Sequence, residues 1–494
     1  MNSNKAVYIL LLVSQFLTYN AFTQSTQQHA TYKTLYKTIK GSITRTNYHT
    51  YVEEPFTLPA GVKRLTIEFS YNGKEQRTTI DMGLMDPAGF RGWSGGARNA
   101  FTISAGDATP GYLAGPLPSG EWKLILGVPN IREGVVSAYE ARIYIETQTG
   151  ITEFSDKPIY AAAGWYRGDL HMHSGNSDGK CTAQSGNKVP CPVYRVVETA
   201  TNKGLDFIAL TDHNTTSQAE ALRELQPAFD KILLVPGQEI TTFYGHAGIF
   251  GLTGFVDFRM TNGSYAEAQN WMSTVNNSGG IISINHPGVP SGEDCMGCGW
   301  QIQNIPDKVI TAVELLNGGS MKYSIEGSIE GWDQWHKMLN SGQHITAIGG
   351  SDDHHAENIG TPATVIYMKE LSVQGLLDGV RSGRVYVDIE GNKDRFLDLS
   401  AADRENKVDM GGVLKAKLSD TINLTTIVRG VTGGKIEFII DGKLNSKLNQ
   451  EILSDNEEKQ VRWETDGNRH SIYIKVRDKN EKLVLVGNPV YIEK

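Results

Sequence analysis

Four cysteines in 494 residues are too few for disulfides to hold the chain together, so its stability must rest on buried apolar cores. No run of Lys or Arg occurs anywhere, and 55 acidic residues outnumber 47 basic ones, for a formal net charge of −8. Nucleic acid, which is bound by neutralising phosphates, is therefore an unfavoured partner. Past the N-terminus no apolar stretch approaches membrane length, which argues against stable membrane insertion. The 53 glycines and 17 prolines interrupt the chain too often for long helices. What remains is a chain too long for one ordinary domain, 39% hydrophobic and 21% charged, as a globular protein should be.

The N-terminus reads as an export signal. Lys5 supplies the positive start, Ala6 to Leu17 a short apolar run, and Thr18 to Gln24 a polar cleavage zone. Residues 1–23 are expected to be removed as a signal peptide, leaving a periplasmic or secreted protein; an uncleaved anchor is the rival reading. Residues 24–42 form a polar leader. Over 43–150, short alternating strands such as Arg64 to Phe69, Trp122 to Leu126 and Ala141 to Ile145 are separated by Leu58-Pro59-Ala60-Gly61 and Leu117-Pro118-Ser119-Gly120. That pattern predicts a β-sandwich, similar to the accessory domains of secreted hydrolases, with His49 its only histidine.

Between 160 and 390 the pattern changes to short buried runs alternating with amphipathic stretches. The runs are Phe207 to Leu210, Ile232 to Val235, Ile281 to Ile284, Ala312 to Leu316 and Ile345 to Ile348. Helices are expected over Tyr194 to Lys203, Gln218 to Leu225, Tyr265 to Asn276, Ile329 to Leu339 and Val373 to Arg381. Such alternation predicts a parallel α/β domain with its active site at the carboxyl ends of the strands. Residues 392–494 return to alternating strands and predict a small C-terminal β-sandwich. The whole is a multidomain α/β plus β chain.

Chemistry concentrates at the strand ends of the middle region. Gly168-Asp169-Leu170-His171-Met172-His173 puts two imidazoles on one face of an extended segment, with Asp178 returning past Gly175. Later runs deliver Thr211-Asp212-His213, Gly237-Gln238-Glu239, Asn285-His286-Pro287 and Gly350-Ser351-Asp352-Asp353-His354-His355. Nine of the twelve histidines fall between 171 and 355. Of these, His336 and His344 sit on or after a helix and read as packing or capping residues. Nitrogen and carboxylate donors together suit Zn2+, Mn2+ or Fe2+ rather than Ca2+ or Mg2+. The donors exceed what one structural zinc needs, so two or three divalent ions are implied, an arrangement that activates water for hydrolysis.

These motifs, in this order, resemble those of the PHP (polymerase and histidinol phosphatase) metallohydrolase superfamily over roughly residues 165–390. The export signal, the β flanks and Gly487-Asn488-Pro489-Val490-Tyr491 are similar to its CehA/McbA-type branch. The resemblance implies a distorted (β/α)7 barrel flanked by the two sandwiches. It also implies that His171, His173, Glu239 and Asp352 share one ion, and that Glu239 bridges to a second held by His286 and His246. Asp178, His213 and His354 hold a third. His246, in Tyr244-Gly245-His246, is either a ligand or a proton donor facing substrate. Asp212 is expected to orient a histidine, and His355 is a candidate general acid. Asp353 and His355 are otherwise expected at the surface.

Softer candidates are Asn317 and Lys322 for substrate contact, with Lys180 a second cation. Trp300, Trp332 and Trp335 either line a pocket or pack the core. The cysteines follow metal motifs, and in an exported protein two bridges are favoured, Cys181–Cys191 and Cys295–Cys298. Cross-loop pairing, a separate zinc knot made of all four cysteines and Cys-x-x-Cys redox chemistry are the alternatives. The expected activity is hydrolysis by a metal-bound hydroxide, with phosphomonoester or phosphodiester substrates first and ester, amide or carbamate substrates as the alternative. A non-catalytic, metal-braced surface or glycan-binding protein is the reading from another class. The partner is then a small-molecule or oligomeric ester.

Overall fold

A computed structural model of the chain describes residues 33–293 and 295–494, so the expected export signal and residues 24–32 of the polar leader lie outside the described residues, while residues 34–42, expected as leader, belong to the first strand. The period-2 pattern of the first region sorts its side chains in the usual way: along Arg64–Tyr71, Leu65, Ile67 and Phe69 turn inward. Eight strands result: β1 (Thr34–Ile43), β2 (Tyr51–Leu58), β3 (Arg64–Tyr71), β4 (Thr79–Asp86), β5 (Gly89–Gly95), β6 (Ala100–Ser104), β7 (Gly120–Asn130) and β8 (Ser137–Glu146). They make two four-stranded sheets, β1-β8-β3-β6 and β2-β7-β4-β5. One core, with Phe101, Trp122 and Leu124, unites their inner faces.

The middle region runs β9 (Gly164–Asp169), β10 (Lys180–Thr182), β11 (Lys188–Pro190), α1 (Val193–Asn202), β12 (Phe207–Leu210), α2 (Gln218–Leu225), β13 (Leu233–Thr242) and β14 (Gly245–Phe250). It continues with α3 (Tyr265–Asn277), β15 (Ile281–Ile284), β16 (Ala312–Asn317), α4 (Gly318–Met321), α5 (Trp332–Ser341), β17 (Thr346–Gly350), β18 (Ala363–Met368), α6 (Val373–Ser382) and β19 (Val385–Asp388). Each longer helix buries one apolar stripe; α1, for example, turns Val193, Val196, Val197 and Ala200 inward.

The sheet order is β17-β16-β15-β14-β13-β12-β9-β18-β19. It is mixed, which corrects the expectation of an all-parallel sheet. β9, β12 and β13 pair in parallel, as do β15, β16 and β17, but β13-β14-β15 and β9-β18-β19 are antiparallel. The cause lies in Thr242-Phe243-Tyr244-Gly245. Thr242 Oγ1 donates to the Gly245 carbonyl at 2.8 Å and accepts from Tyr244 N at 3.0 Å. A turn this tight returns the chain antiparallel. Gly245 there adopts φ +135°, and a Cβ would meet the Trp300 ring at 2.6 Å.

Among the described residues the strands do not close into a hydrogen-bonded ring. The free edge of β17 is stitched by side chains instead. Thr364 on β18 donates to Gly349 O at 2.6 Å and accepts from Gly349 N at 2.8 Å. Asn488 accepts from Ala347 N at 2.7 Å and donates to Ala347 O and Val385 O, each at 2.9 Å. The edge is thereby covered without a further strand.

Beyond β19 the same sheet continues into the C-terminal region through 483–487, 470–477 and 435–440. A second sheet, ordered 407–409, 396–402, 421–429, 456–464, packs over it around Leu424, Phe438 and Ile474. Trp332 and Trp335 lie in the core of the middle region, with their indole N–H groups on the carbonyls of Ile325 and Ile345. They are therefore packing residues, while Trp300 lies partly buried against the same core. Among the described residues no helix is long and apolar enough to cross a membrane.

Candidate metal centre

The strand ends bring their donors to one carboxylate. Glu239, in the middle of β13, is fully buried. Its oxygens lie 3.3 Å from His171 Nε2, 3.7 Å from His173 Nε2, 2.9 Å from His213 Nδ1, 3.5 Å from His246 Nδ1 and 3.1 Å from His286 Nε2. Asn285 Nδ2 donates to it at 3.0 Å. Burial alone would raise the Glu239 pKa, yet the histidines, His171 foremost, hold it well below the usual carboxylate range. His246 reaches this cluster because β14 runs back beside β13, pairing His246 with Thr241.

Two further carboxylates flank it. Asp352 Oδ1 lies 3.2 Å from His173 Nε2 and 3.4 Å from His171 Nε2. Asp178, on the exposed turn after His173, lies 3.3 Å from His354 Nε2, 3.7 Å from His213 Nε2 and 3.8 Å from His173 Nδ1. Asp352 and His286 have φ of +52° and +25°, conformations that L-residues adopt only when their surroundings impose them.

The surroundings that impose them include groups sequence reasoning passed over. Glu314 sits inside the all-buried strand β16, where an isolated carboxylate would be costly. It accepts from His171 Nδ1 at 2.9 Å, from His286 N at 2.8 Å and from Asn317 Nδ2 at 3.1 Å. With Nδ1 engaged there, His171 Nε2 is directed at Glu239 and Asp352. Asp169 joins the ends of β9 and β17 by accepting from His171 N and Ser351 N, both at 3.1 Å, and from Gly360 N at 2.7 Å. Burial pushes its pKa up to about 6. Glu330, likewise pushed up to about 7 by burial, receives Asn317 N and Ser320 Oγ. A signal for Glu314 existed: a Glu inside the apolar run Ala312 to Leu316 must have partners if that run is buried.

Several expectations need correcting. Asp212 does not orient a histidine: its oxygens receive Ser174 N and Ser174 Oγ at 2.8 Å and Ser177 Oγ at 2.6 Å, fixing the turn that carries Asp178. His355 is exposed, with Nδ1 3.0 Å from the Lys180 carbonyl, and does not line the cleft described below. Asp353 is buried rather than at the surface, and caps Glu357 N and Asn358 N. Asn317 reaches the cleft, but its amide is engaged: Oδ1 caps α4 through Gly319 N, and Nδ2 holds Glu314 and Asp352.

Whether this set fits metal ions can be tested on its unpaired atoms. His171 Nε2, His173 Nδ1, Glu239 Oε2 and His286 Nδ1 are buried with no hydrogen-bond partner among the described residues. Leaving such atoms unsatisfied costs about 1–3 kcal/mol apiece, which coordination to a cation would offset. Three of the donor groupings in which all donor atoms lie within 4.8 Å of one another are His171/His173/Asp352, His213/Glu239/His246 and His173/Asp178/His213/His354. The donors fit metal ions.

Above the centre opens a cleft of about 800 Å³. Asp178, Glu239, Asp352, His213, His246, His286 and His354 form its floor; Val289, Pro290, Met296, Tyr323 and Ile329 are among its walls, and Lys322 is its one Lys or Arg among the described residues. The cysteines pair as Cys181–Cys191 and Cys295–Cys298, and Cys295 also faces the cleft. A family model described as "PHP-associated" matches residues 343–385, the span of β17, β18 and α6 that carries Asp352 and His354. It links the chain to the PHP superfamily. No curated protein matches the chain.

Proposed function

We propose that the chain is an exported, metal-dependent hydrolase of the PHP type, acting first on phosphomonoesters or phosphodiesters of small or oligomeric substrates. The observation that carries this reading is the convergence of five imidazoles on buried Glu239 at the floor of an open cleft. His171, His173, Glu239 and Asp352 would hold one divalent ion, and Glu239, His246 and His286 a second. Asp178, His213 and His354 would hold a third. Bound there, Zn2+, Mn2+ or Fe2+ supplies Lewis acidity and lowers the pKa of water at the cleft floor.

The chain's own residues do the positioning. Glu314 fixes the His171 ring and the backbone of His286, and Asn317 steadies Asp352 while capping α4. Asp212 holds the turn that presents Asp178. Lys322, at the mouth, attracts an anionic group of the substrate, and Val289, Pro290 and Ile329 exclude water around the scissile bond.

One observation favours a second reading, cleavage of carboxyl esters, amides or carbamates on the same floor. Among the described residues the cleft offers a phosphate only one Lys or Arg, and its walls are largely apolar. Metal analysis of the purified protein, followed by assays on phosphomonoesters, phosphodiesters and aryl esters, separates the two. Cleavage of any of them by the metal-loaded protein, abolished in His173→Ala together with part of the metal content, is the expected result. A loaded protein inert on the whole panel overturns the enzyme reading in favour of a metal-braced binding protein. Unchanged metal content in His173→Ala overturns the ligand assignment.

A further inference from the structure

The cysteine pair at the cleft has a surrounding that a purely structural bridge does not need. His246, His286, Cys295 and Cys298 each place a donor atom within 4.8 Å of the others. Cys298 Sγ is 3.9 Å from His246 Nδ1, the ring nitrogen that also faces Glu239. His286 Nδ1 is fully buried and has no hydrogen-bond partner among the described residues, while Nε2 of the same ring faces Glu239. Both rings therefore have a carboxylate and a pair of sulfurs as neighbours.

The loop bearing the sulfurs is anchored independently of the S–S bond. Gly297, at φ +82°, packs so closely on the Thr242 carbonyl that a Cβ would lie 2.1 Å from it. Its N–H donates to Ser291 Oγ at 2.9 Å, and Met296 O lies 3.1 Å from His246 Nε2. Trp300 N donates to Pro287 O at 3.1 Å, closing the base of the loop. Opening the bridge would leave two thiols beside two imidazoles. Two sulfurs in Cys-x-x-Cys spacing with two imidazoles are the donor set of a tetrahedral zinc site.

We propose that the Cys295–Cys298 disulfide masks a second kind of metal site, a set of two cysteines and two histidines for a thiophilic divalent ion, completed by His246 and His286. Reduction exposes it. A dithiol or phosphine reductant supplies two electrons, two protons come from solvent, and the Sγ–Sγ bond becomes two thiols. Each thiol returns its proton to solvent when its sulfur takes the ion, so binding releases two protons. In the oxidised chain the sulfurs are neutral and His246 and His286 face Glu239; in the reduced chain the same rings have thiolates as competing neighbours. The proposal rests on these four donors alone and holds whether or not the cleft is hydrolytic.

Cobalt(II) is the probe, added to the full-length, metal-stripped protein before and after treatment with a phosphine. Expected is a near-ultraviolet sulfur-to-cobalt charge-transfer band in the reduced chain only, which bleaches on reoxidation. The band should vanish in Cys295→Ser/Cys298→Ser, weaken in His246→Ala, and persist in Cys181→Ser/Cys191→Ser. No band in the reduced protein overturns the proposal, as does a band that survives in Cys295→Ser/Cys298→Ser. Should that variant fail to fold, the wild-type chain decides: a band that does not bleach on reoxidation overturns the proposal equally. Hydrolysis by the oxidised enzyme, measured in parallel, shows whether only this site fails or the metal centre as well.

Discussion

The N-terminal sandwich meets the middle region through side chains, whereas the C-terminal region meets it through backbone. On the N-terminal side the contact centres on Asp107, fully buried just past β6. It receives Arg64 Nη2 at 2.6 Å and Ser104 Oγ at 2.6 Å from its own sandwich, and Arg223 Nε at 2.6 Å and Thr253 Oγ1 at 2.8 Å from the middle region. On the C-terminal side β19 pairs directly with 483–487, His336 bonds Tyr473 Oη at 2.9 Å, and His344 lies 3.0 Å from Glu493. Among the described residues, none of the sandwich lines the cleft. The C-terminal region touches a loop that does. A flank held by one polar cluster can be loosened by one substitution without disturbing the centre; a flank that shares the sheet cannot.

The largest effect expected from this difference is in Asp107→Ala. It leaves Arg64 and Arg223 buried without their carboxylate, a change that costs about 3–5 kcal/mol. Urea unfolding should show that loss, while metal content per folded chain stays at the wild-type value. A fall in metal content would mean the sandwich is coupled to the centre after all. Chelation should do the reverse. Removing an ion present at about 100 times its Kd withdraws about 2.7 kcal/mol, and the loss should appear in the transition of the middle and C-terminal regions together. A shift confined to the sandwich would break the comparison.

Acid should act at the same cluster. Burial alone would raise the Asp107 pKa, but Arg64 and Arg223 hold it well below the usual carboxylate range. Its folded pKa is thus lower than its unfolded value of about 3.9, so its contribution is fully present above that value and is lost as pH falls toward the folded pKa. Asp107→Asn should flatten the stability profile below about pH 4 by up to about 1.4 kcal/mol per pH unit. An unchanged acid limb in unfolding measured at each pH would remove Asp107 from the account.

Both flanks look alike in the sequence: short alternating strands, one histidine each, and Gly or Pro at the turns. Local pattern specifies that strands form, not which distant strand they pair with, so the union of β19 with 483–487 was not legible. The centre was more so, because each donor follows its own apolar run; α2 and the runs Phe207–Leu210 and Ile281–Ile284 also fall where periodicity puts them. What escaped was whatever depends on a partner far along the chain. Glu314 reads as one polar residue in an apolar strand until His171 and His286 are beside it. Asp212 reads as a histidine's partner until Ser174 and Ser177 take its oxygens. The β13–β14 hairpin escaped for a different reason, since Thr242 to Gly245 lacks the Asn-Gly or Asp-Gly signal of a two-residue turn.

The smallest effect on stability, and the most informative about the C-terminal flank, belongs to Glu326. It lies in the segment between α4 and α5 that also supplies Lys322, Tyr323 and Ile329 to the cleft. Its carboxylate receives Arg477 Nη1 and Nη2, both at 2.9 Å, and Lys475 Nζ at 2.9 Å. Lys475 also sits 4.0 Å over the Trp332 ring, next to the start of α5. Burial would raise the Glu326 pKa, yet the two cations bring it down to about 2. The pair is partly exposed, and such pairs contribute about 0–1 kcal/mol, so Glu326→Gln should leave the unfolding midpoint nearly unchanged. Its consequence should be kinetic. Freeing the segment lets Lys322 and Tyr323 drift without moving any metal donor, which weakens substrate binding more than the chemical step. If the proposed hydrolysis holds, KM for the ester cleaved should rise by roughly 3–10-fold with kcat within about twofold, the pattern left by losing uniform binding. Arg477→Gln should reproduce that pattern, and the double variant should add little to either. A fall in kcat with KM unchanged would mean that the C-terminal region acts on the metal floor through the shared sheet rather than on the cleft wall through this loop.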